Sequence, residues 1–174
     1  MKRFWLAARE TLEIVIVALI TVFIIRNFLI QPFLVNGASM EPNFNDGDYL
    51  LIDEITYRFR QPQRGEVVVF RYPNDRSVFF IKRIIGLPGE IVAIRDNTAY
   101  INNVELKEDY LPLVKTSGRA ELALGPDEYF VLGDNRSFSF DSRNWGSAKF
   151  DDIIGIARVR IFPFTQFEVF KHGQ

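Results

Sequence analysis

Residues Ile14 to Ile25 form an apolar run of twelve, Ile-Val-Ile-Val-Ala-Leu-Ile-Thr-Val-Phe-Ile-Ile, hydrophobic on every face. An amphipathic surface helix carries an apolar stripe and a polar back, so this run does not read as one. Three destinations remain: a buried core helix, a cleaved leader or a bilayer. A spanning helix needs about 20 mostly apolar residues, and the stretch from Leu12 through Ile30 supplies 19. Its polar members Glu13, Arg26 and Asn27 lie towards the ends, where long side chains reach the interface. A cleaved leader would end in a small-x-small site, yet Arg26-Asn27-Phe28 and Gln31-Pro32-Phe33 follow the run. The segment 11–30 therefore reads as a transmembrane anchor. Lys2, Arg3 and Arg9 precede it, which places 1–10 in the cytoplasm and 31–174 outside.

After Pro32 the pattern changes to short β-rich runs. Tyr49–Ile52, Glu66–Arg71, Val78–Ile85, Glu90–Arg95, Ala99–Ile101, Tyr129–Leu132 and Ile153–Ile161 are rich in Val, Ile, Phe and Tyr. Turn-forming combinations separate them, among them Tyr72-Pro73-Asn74-Asp75, Leu87-Pro88-Gly89 and Asp96-Asn97. The pattern predicts a mainly β domain, a coiled sheet or barrel. Glu105 to Gly125 is the least regular stretch and reads as surface connections.

Composition removes whole classes of chemistry. There is no cysteine, hence no thiol nucleophile, disulfide or thiolate metal site. The one histidine, His172, stands three positions from the end, so neither a Ser-His-Asp triad nor a histidine-rich zinc site is expected. No metal or cofactor is implied. A net charge of −1 offers no electrostatic case for nucleic acid. Asn45-Asp46-Gly47-Asp48 is no calcium loop, because Pro42 and Phe44 would occupy positions that need carboxylates. It reads as a tight turn. Gly86-Leu87-Pro88-Gly89 matches no nucleotide-binding glycine pattern.

Two residues remain as candidates for hydrolytic chemistry without histidine. Ser39 lies just beyond the anchor in Val35-Asn36-Gly37-Ala38-Ser39-Met40-Glu41-Pro42, where Gly37 and Ala38 would let a substrate backbone approach. Taken alone, it reads equally as a turn serine. Lys82 follows Val78-Phe79-Phe80-Ile81 and, at period two, shares a strand face with Phe80 and Ile84. An inward face would desolvate the amine and lower its pKa, giving a neutral general base. An edge lysine guarding against aggregation fits the same pattern. A polar stretch, Gly133-Asp134-Asn135-Arg136-Ser137-Phe138-Ser139-Phe140-Asp141-Ser142-Arg143, reads either as a solvated loop or as a network bracing a site.

Together these segments resemble the bacterial type I signal peptidase family. Ser39-Met40-x-Pro42 is similar to its nucleophile motif, Arg64-Gly65-Glu66-Val67-Val68-Val69-Phe70 to its core strand, and Lys82-Arg83-Ile84-Ile85-Gly86-Leu87-Pro88-Gly89-Glu90 to its lysine motif. Gly133-Asp134-Asn135-Arg136, Ser139 and Asp141-Ser142-Arg143 match the last. The resemblance implies a membrane-bound serine endopeptidase of the bacterial plasma membrane that removes signal peptides from exported preproteins. Ser39 would be the nucleophile and Lys82 the general base, with Ser139 directing the amine. It further implies pairing of Arg83 with Asp134 and of Asp141 with Arg143, and a Gly133 that keeps space beside Lys82. Some members carry a serine or threonine where this chain has Gly37, so backbone N–H groups, chiefly that of Ser39, would form the oxyanion hole. The threonine common after Pro42 is replaced by Asn43, read as peripheral. The expected partners are preproteins and the lipid bilayer, which Phe138, Phe140 and Trp145 would touch if they are not core. An inactive tethered homologue and a self-cleaving repressor-type peptidase are the rivals. Retention of Ser39, Lys82 and Ser139 argues against the first, and the anchor against the second.

Overall fold

The computed structural model describes residues 9–21, 30–111 and 115–170. Residues 9–21 form helix α1, exposed throughout. No helix among the described residues is long and apolar enough to cross a membrane. The expected anchor extends over residues 22–29, which lie outside the described residues, as do most of the expected cytoplasmic segment and His172.

The last residue of the expected anchor is also the first of a strand. Ile30 opens strand β1 (Ile30–Leu34), paired with β2 (Tyr49–Asp53) from Ile30↔Asp53 to Leu34↔Tyr49. A short apolar run cannot be divided between helix and strand by periodicity alone, and here pairing with β2 decides it.

The chain continues through α2 (Thr56–Phe59), β3 (Val67–Tyr72), β4 (Asp75–Gly86), β5 (Ile91–Arg95), β6 (Thr98–Ile101) and β7 (Val104–Glu105). Then come β8 (Ala120–Ala123), β9 (Glu128–Leu132), α3 (Ser142–Trp145), β10 (Ala148–Lys149), β11 (Ile153–Phe162) and β12 (Glu168–Val169). The main sheet has the order β1-β2-β11-β3-β4-β9-β10, with β12 on β11. Every pairing among the described strands is antiparallel. Among the described residues the sheet is open rather than a barrel, because β1 and β10 end the order without pairing with each other.

Val67, Val69 and Ile81 pack on one face with Met40, Phe44 and Leu50, while Val68, Phe70 and Ile84 pack on the other with Tyr129 and Val131. A sheet buried on both faces explains why Val67–Phe70 is an unbroken apolar run instead of an alternating one. A smaller sheet, β7-β6-β5-β8, rests on Ile85, Phe130 and Leu132 through Val92, Ile94 and Ala99. Its hairpins turn on Asp96-Asn97 and Asn102-Asn103, all four at positive φ, as two-residue type I′ turns require. Part of the stretch read as irregular, Glu105 to Gly125, thus contributes β8.

Candidate active site

Lys82 sits where β4 passes from exposed to buried: Asp75–Phe79 are exposed, while Ile81–Gly86 are buried. It shares the inner face with Phe80 and Ile84, and the residue is only 3% exposed. The desolvated reading of the sequence, rather than the edge-lysine reading, describes this position.

Ser39 comes from the turn after β1, and a hydrogen bond of 2.8 Å joins its Oγ to Lys82 Nζ. The amine also donates to the Ile81 carbonyl at 2.8 Å, and the Phe80 ring centroid lies 5.2 Å away. Burial pushes the Lys82 pKa down from 10.5 to about 8, against the pull of the Asp141 and Asp134 carboxylates. Each of those carboxylates has its own cation. Asp134 accepts from Arg83 Nε at 2.8 Å and Nη2 at 2.6 Å, a fork buried on both sides. Asp141 accepts from Arg143 Nε and Nη2, both at 2.8 Å. Pairing spends much of their field on arginine. In this arrangement Lys82 Nζ donates to Ser39 Oγ; an amine that lost a proton there would carry a lone pair within reach of the hydroxyl, the geometry a general base requires.

The loop from Gly133 to Asp141 closes over this pair. Asp141 caps α3 through Arg143 N–H and also accepts from Gly133 N–H at 3.1 Å. Gly133 is glycine for a steric reason: a Cβ there would overlap the Ser139 side chain and the Ser39 carbonyl. The space it keeps free is thus taken by the nucleophile turn and Ser139. Ser139 Oγ is buried without a hydrogen-bond partner, so the amine takes its second contact from Ile81 and not from Ser139.

A groove of about 270 Å³ runs past the serine, between the segment Phe33–Ser39 and the strand Phe79–Lys82, with Phe138 and Phe140 on its rim. One edge of β4 pairs with β3. The other meets β9 only from Arg83 onward, so the edge from Asp75 to Lys82 carries no strand among those described. A free strand edge beside an apolar groove can take an extended peptide as an added strand.

A serine and a buried amine are thus joined beside a free strand edge, and sequence comparison says which family the chain belongs to. Residues 8–162 match the family described as signal peptidase, peptidase S26. This chain belongs to that family. It is similar to a probable signal peptidase I-2 of Synechocystis sp., with 38% identity over 91% of this chain and 74% of the relative. Signal peptidase I T of Bacillus subtilis is 33% identical over 90% of this chain and 86% of its own length. A crystal structure of a signal peptidase I from Enterococcus faecalis shares 37% identity and a TM-score of 0.50, covering 56% of this chain and 97% of that one.

In this signal peptidase family chain, two site neighbours had no reading from the sequence or a mistaken one. Asn43, read as peripheral, donates from Nδ2 to Asp134 Oδ2 at 2.8 Å and to the Tyr110 carbonyl at 3.2 Å. It ties the nucleophile turn to the ion pair beside Lys82. Asn135 grips the turn directly, donating from N–H to Ser39 O and from Nδ2 to Ala38 O, both at 3.0 Å. An amide close behind the nucleophile motif was the only available signal for Asn43, and its partner lies 91 residues away. Trp145, considered for lipid contact, instead lies against Phe70 and Tyr72. Phe138 is 77% exposed, whereas Phe140, 51% exposed, also packs against Tyr72 and Phe80.

Proposed function

We propose that this chain is a membrane-anchored serine endopeptidase that removes signal peptides from exported preproteins, with Ser39 as nucleophile and Lys82 as general base. The observation that carries the reading is the 2.8 Å contact between the Ser39 hydroxyl and an amine whose pKa burial brings down to about 8. A preprotein lies extended along the free edge of β4, with its scissile carbonyl at Ser39. Small side chains at positions −1 and −3 face the groove. Neutral Lys82 takes the hydroxyl proton while the Ser39 Oγ–carbon bond forms. The resulting ammonium returns that proton to the departing amine nitrogen as the carbon–nitrogen bond breaks, leaving an acyl-enzyme. Lys82 next deprotonates a water that attacks the ester, and the proton finally restores the Ser39 hydroxyl. Ser139 Oγ, unpartnered beside the turn, is the residue available to direct the amine as it changes charge. The segment 11–30 anchors the domain on the outer face of the bacterial plasma membrane, raising the effective concentration of membrane-held substrate.

The test is cleavage of a preprotein with alanine at −1 and −3 by the full chain in detergent or vesicles. Ser39→Ala and Lys82→Met are each expected to abolish cleavage while the β-sheet circular dichroism is unchanged. Turnover at the wild-type rate in either variant refutes the dyad.

A further inference from the structure

The turn Asn45-Asp46-Gly47-Asp48 has no part in the dyad, yet one of its carboxylates reaches the nucleophile segment. Asp46 Oδ1 accepts the Gly37 N–H at 2.6 Å. Gly37 has φ +89°, and open space surrounds the position a Cβ would take, so backbone conformation and not crowding calls for glycine there. A glycine in an exposed turn has many conformations to choose from, and something must select this one.

Asp46 is well placed to select it, because its own turn rests on a rigid base. Gly47 N–H donates to Val35 O at 2.9 Å, and Val35 N–H to Asp48 O at 2.9 Å. The Asp48 carboxylate, buried, accepts from Asn45 N–H and pairs with buried Arg160, both at 2.9 Å. On the far side, Asn135 holds Ala38 O and Ser39 O. The segment Gly37–Ser39 is therefore clamped at both ends. Its Gly37 N–H is spent on Asp46 and cannot serve a substrate. The Ser39 N–H has no partner among the described residues, and Ser39 lines the groove.

We propose that Asp46 is a positioning residue for the oxyanion site: by accepting the Gly37 N–H, it fixes the turn that presents the Ser39 N–H to the substrate carbonyl. The inference rests on the peptidase reading above. Asp46 touches no reacting atom; it acts through the Gly37–Ala38–Ser39 backbone.

Three variants of the full chain test it. Asp46→Ala removes the acceptor, and Asp46→Asn keeps it in the same place without charge. Asp46→Glu displaces it by one methylene and serves if Asp46→Ala lowers the melting temperature. Removing one oxyanion donor costs about 10²–10³ in kcat, so disorienting one is expected to cost Asp46→Ala and Asp46→Glu roughly tenfold to a hundredfold in kcat, with KM within about twofold of wild type. Asp46→Asn should stay within roughly threefold of wild type, since its Oδ1 still accepts the bond. A peptide aldehyde, which adds Ser39 Oγ to its carbonyl and places an oxygen in the oxyanion site, should lose affinity in step with kcat. An uncleavable ketomethylene peptide of the same sequence should not. Wild-type kcat in both Asp46→Ala and Asp46→Glu overturns the proposal. Equal losses in Asp46→Asn and Asp46→Ala, or equal losses of both ligands, also overturn it. Failure of the underlying reading is distinct: the wild-type chain would leave the preprotein uncut, or Ser39→Ala would cut it normally.

Discussion

Titrating the dyad tests its electrostatics directly. A lysine of ordinary pKa, 10.5, brought down to about 8 by burial, changes its neutral fraction at pH 7 from about 0.03% to about 9%, a gain of roughly 300-fold. If neutral Lys82 is the base, kcat/KM should rise about tenfold per pH unit below the shifted value and level off above it, giving an acid limb near pH 8. The same shift carries a stability consequence. The folded-state pKa is the lower one, so protonation favours the unfolded chain. The full cost is present below about pH 8, shrinks as pH rises from 8 towards 10.5, and is gone above. Two and a half units at about 1.4 kcal/mol each put that cost at roughly 3 to 4 kcal/mol. Lys82→Met, neutral and of similar volume, should therefore be inactive yet more stable than wild type, by up to roughly 3 to 4 kcal/mol near pH 7. The gap between the two proteins should close as the pH approaches 10. The assays are initial rates on a fluorogenic signal-sequence peptide and urea unfolding, both across pH 6 to 10. An acid limb near pH 6, or a Lys82→Met variant less stable than wild type at every pH, would refute the claim that burial tunes this amine.

Gly133→Ala places a methyl against the Ser139 side chain and the Ser39 carbonyl; overpacking of this kind costs roughly 1–3 kcal/mol, visible as a lower urea midpoint, and cleavage should fall much further because the nucleophile turn itself must move. Asp134→Ala leaves the buried Arg83 guanidinium without its forked partner, and breaking such a pair costs about 3–5 kcal/mol; a loss below 1 kcal/mol in urea unfolding would show that the pair does little to hold the loop to β4.

Much of the fold was legible because its signals are local. β-branched and aromatic runs marked β2, β3, β4, β5, β6, β9 and β11 to within a few residues, and Asp96-Asn97 announced a hairpin. The strands that were missed are β1, which follows directly on the run read as anchor and shares only Ile30 with it, and the short β7, β8, β10 and β12. Two-residue strands such as β10 have too few side chains to show a period, and exist only because a neighbour supplies the ladder. The open form of the main sheet was equally out of reach, since closure depends on whether first and last strands meet.

At the site the division is sharper. Sequence alone pointed away from histidine and cysteine as the hydrolytic base, because the chain has no cysteine and a single histidine, His172. Through the order of its motifs, it also singled out Ser39, Lys82 and the loop from Gly133 to Arg143. Periodicity put Lys82 on an apolar face but left two readings of that face open. Tertiary structure decided between them, by laying the Ser39 turn and the Gly133–Asp141 loop over the end of β4. It also revealed that Asn43 and Asn135 hold the turn, and that Ile81 receives the amine while Ser139 stands unpartnered. The physical reason is one of range. Strand propensity and face periodicity act between residues a few positions apart, whereas desolvation and hydrogen bonding depend on which distant segments the fold brings to within about 3 Å.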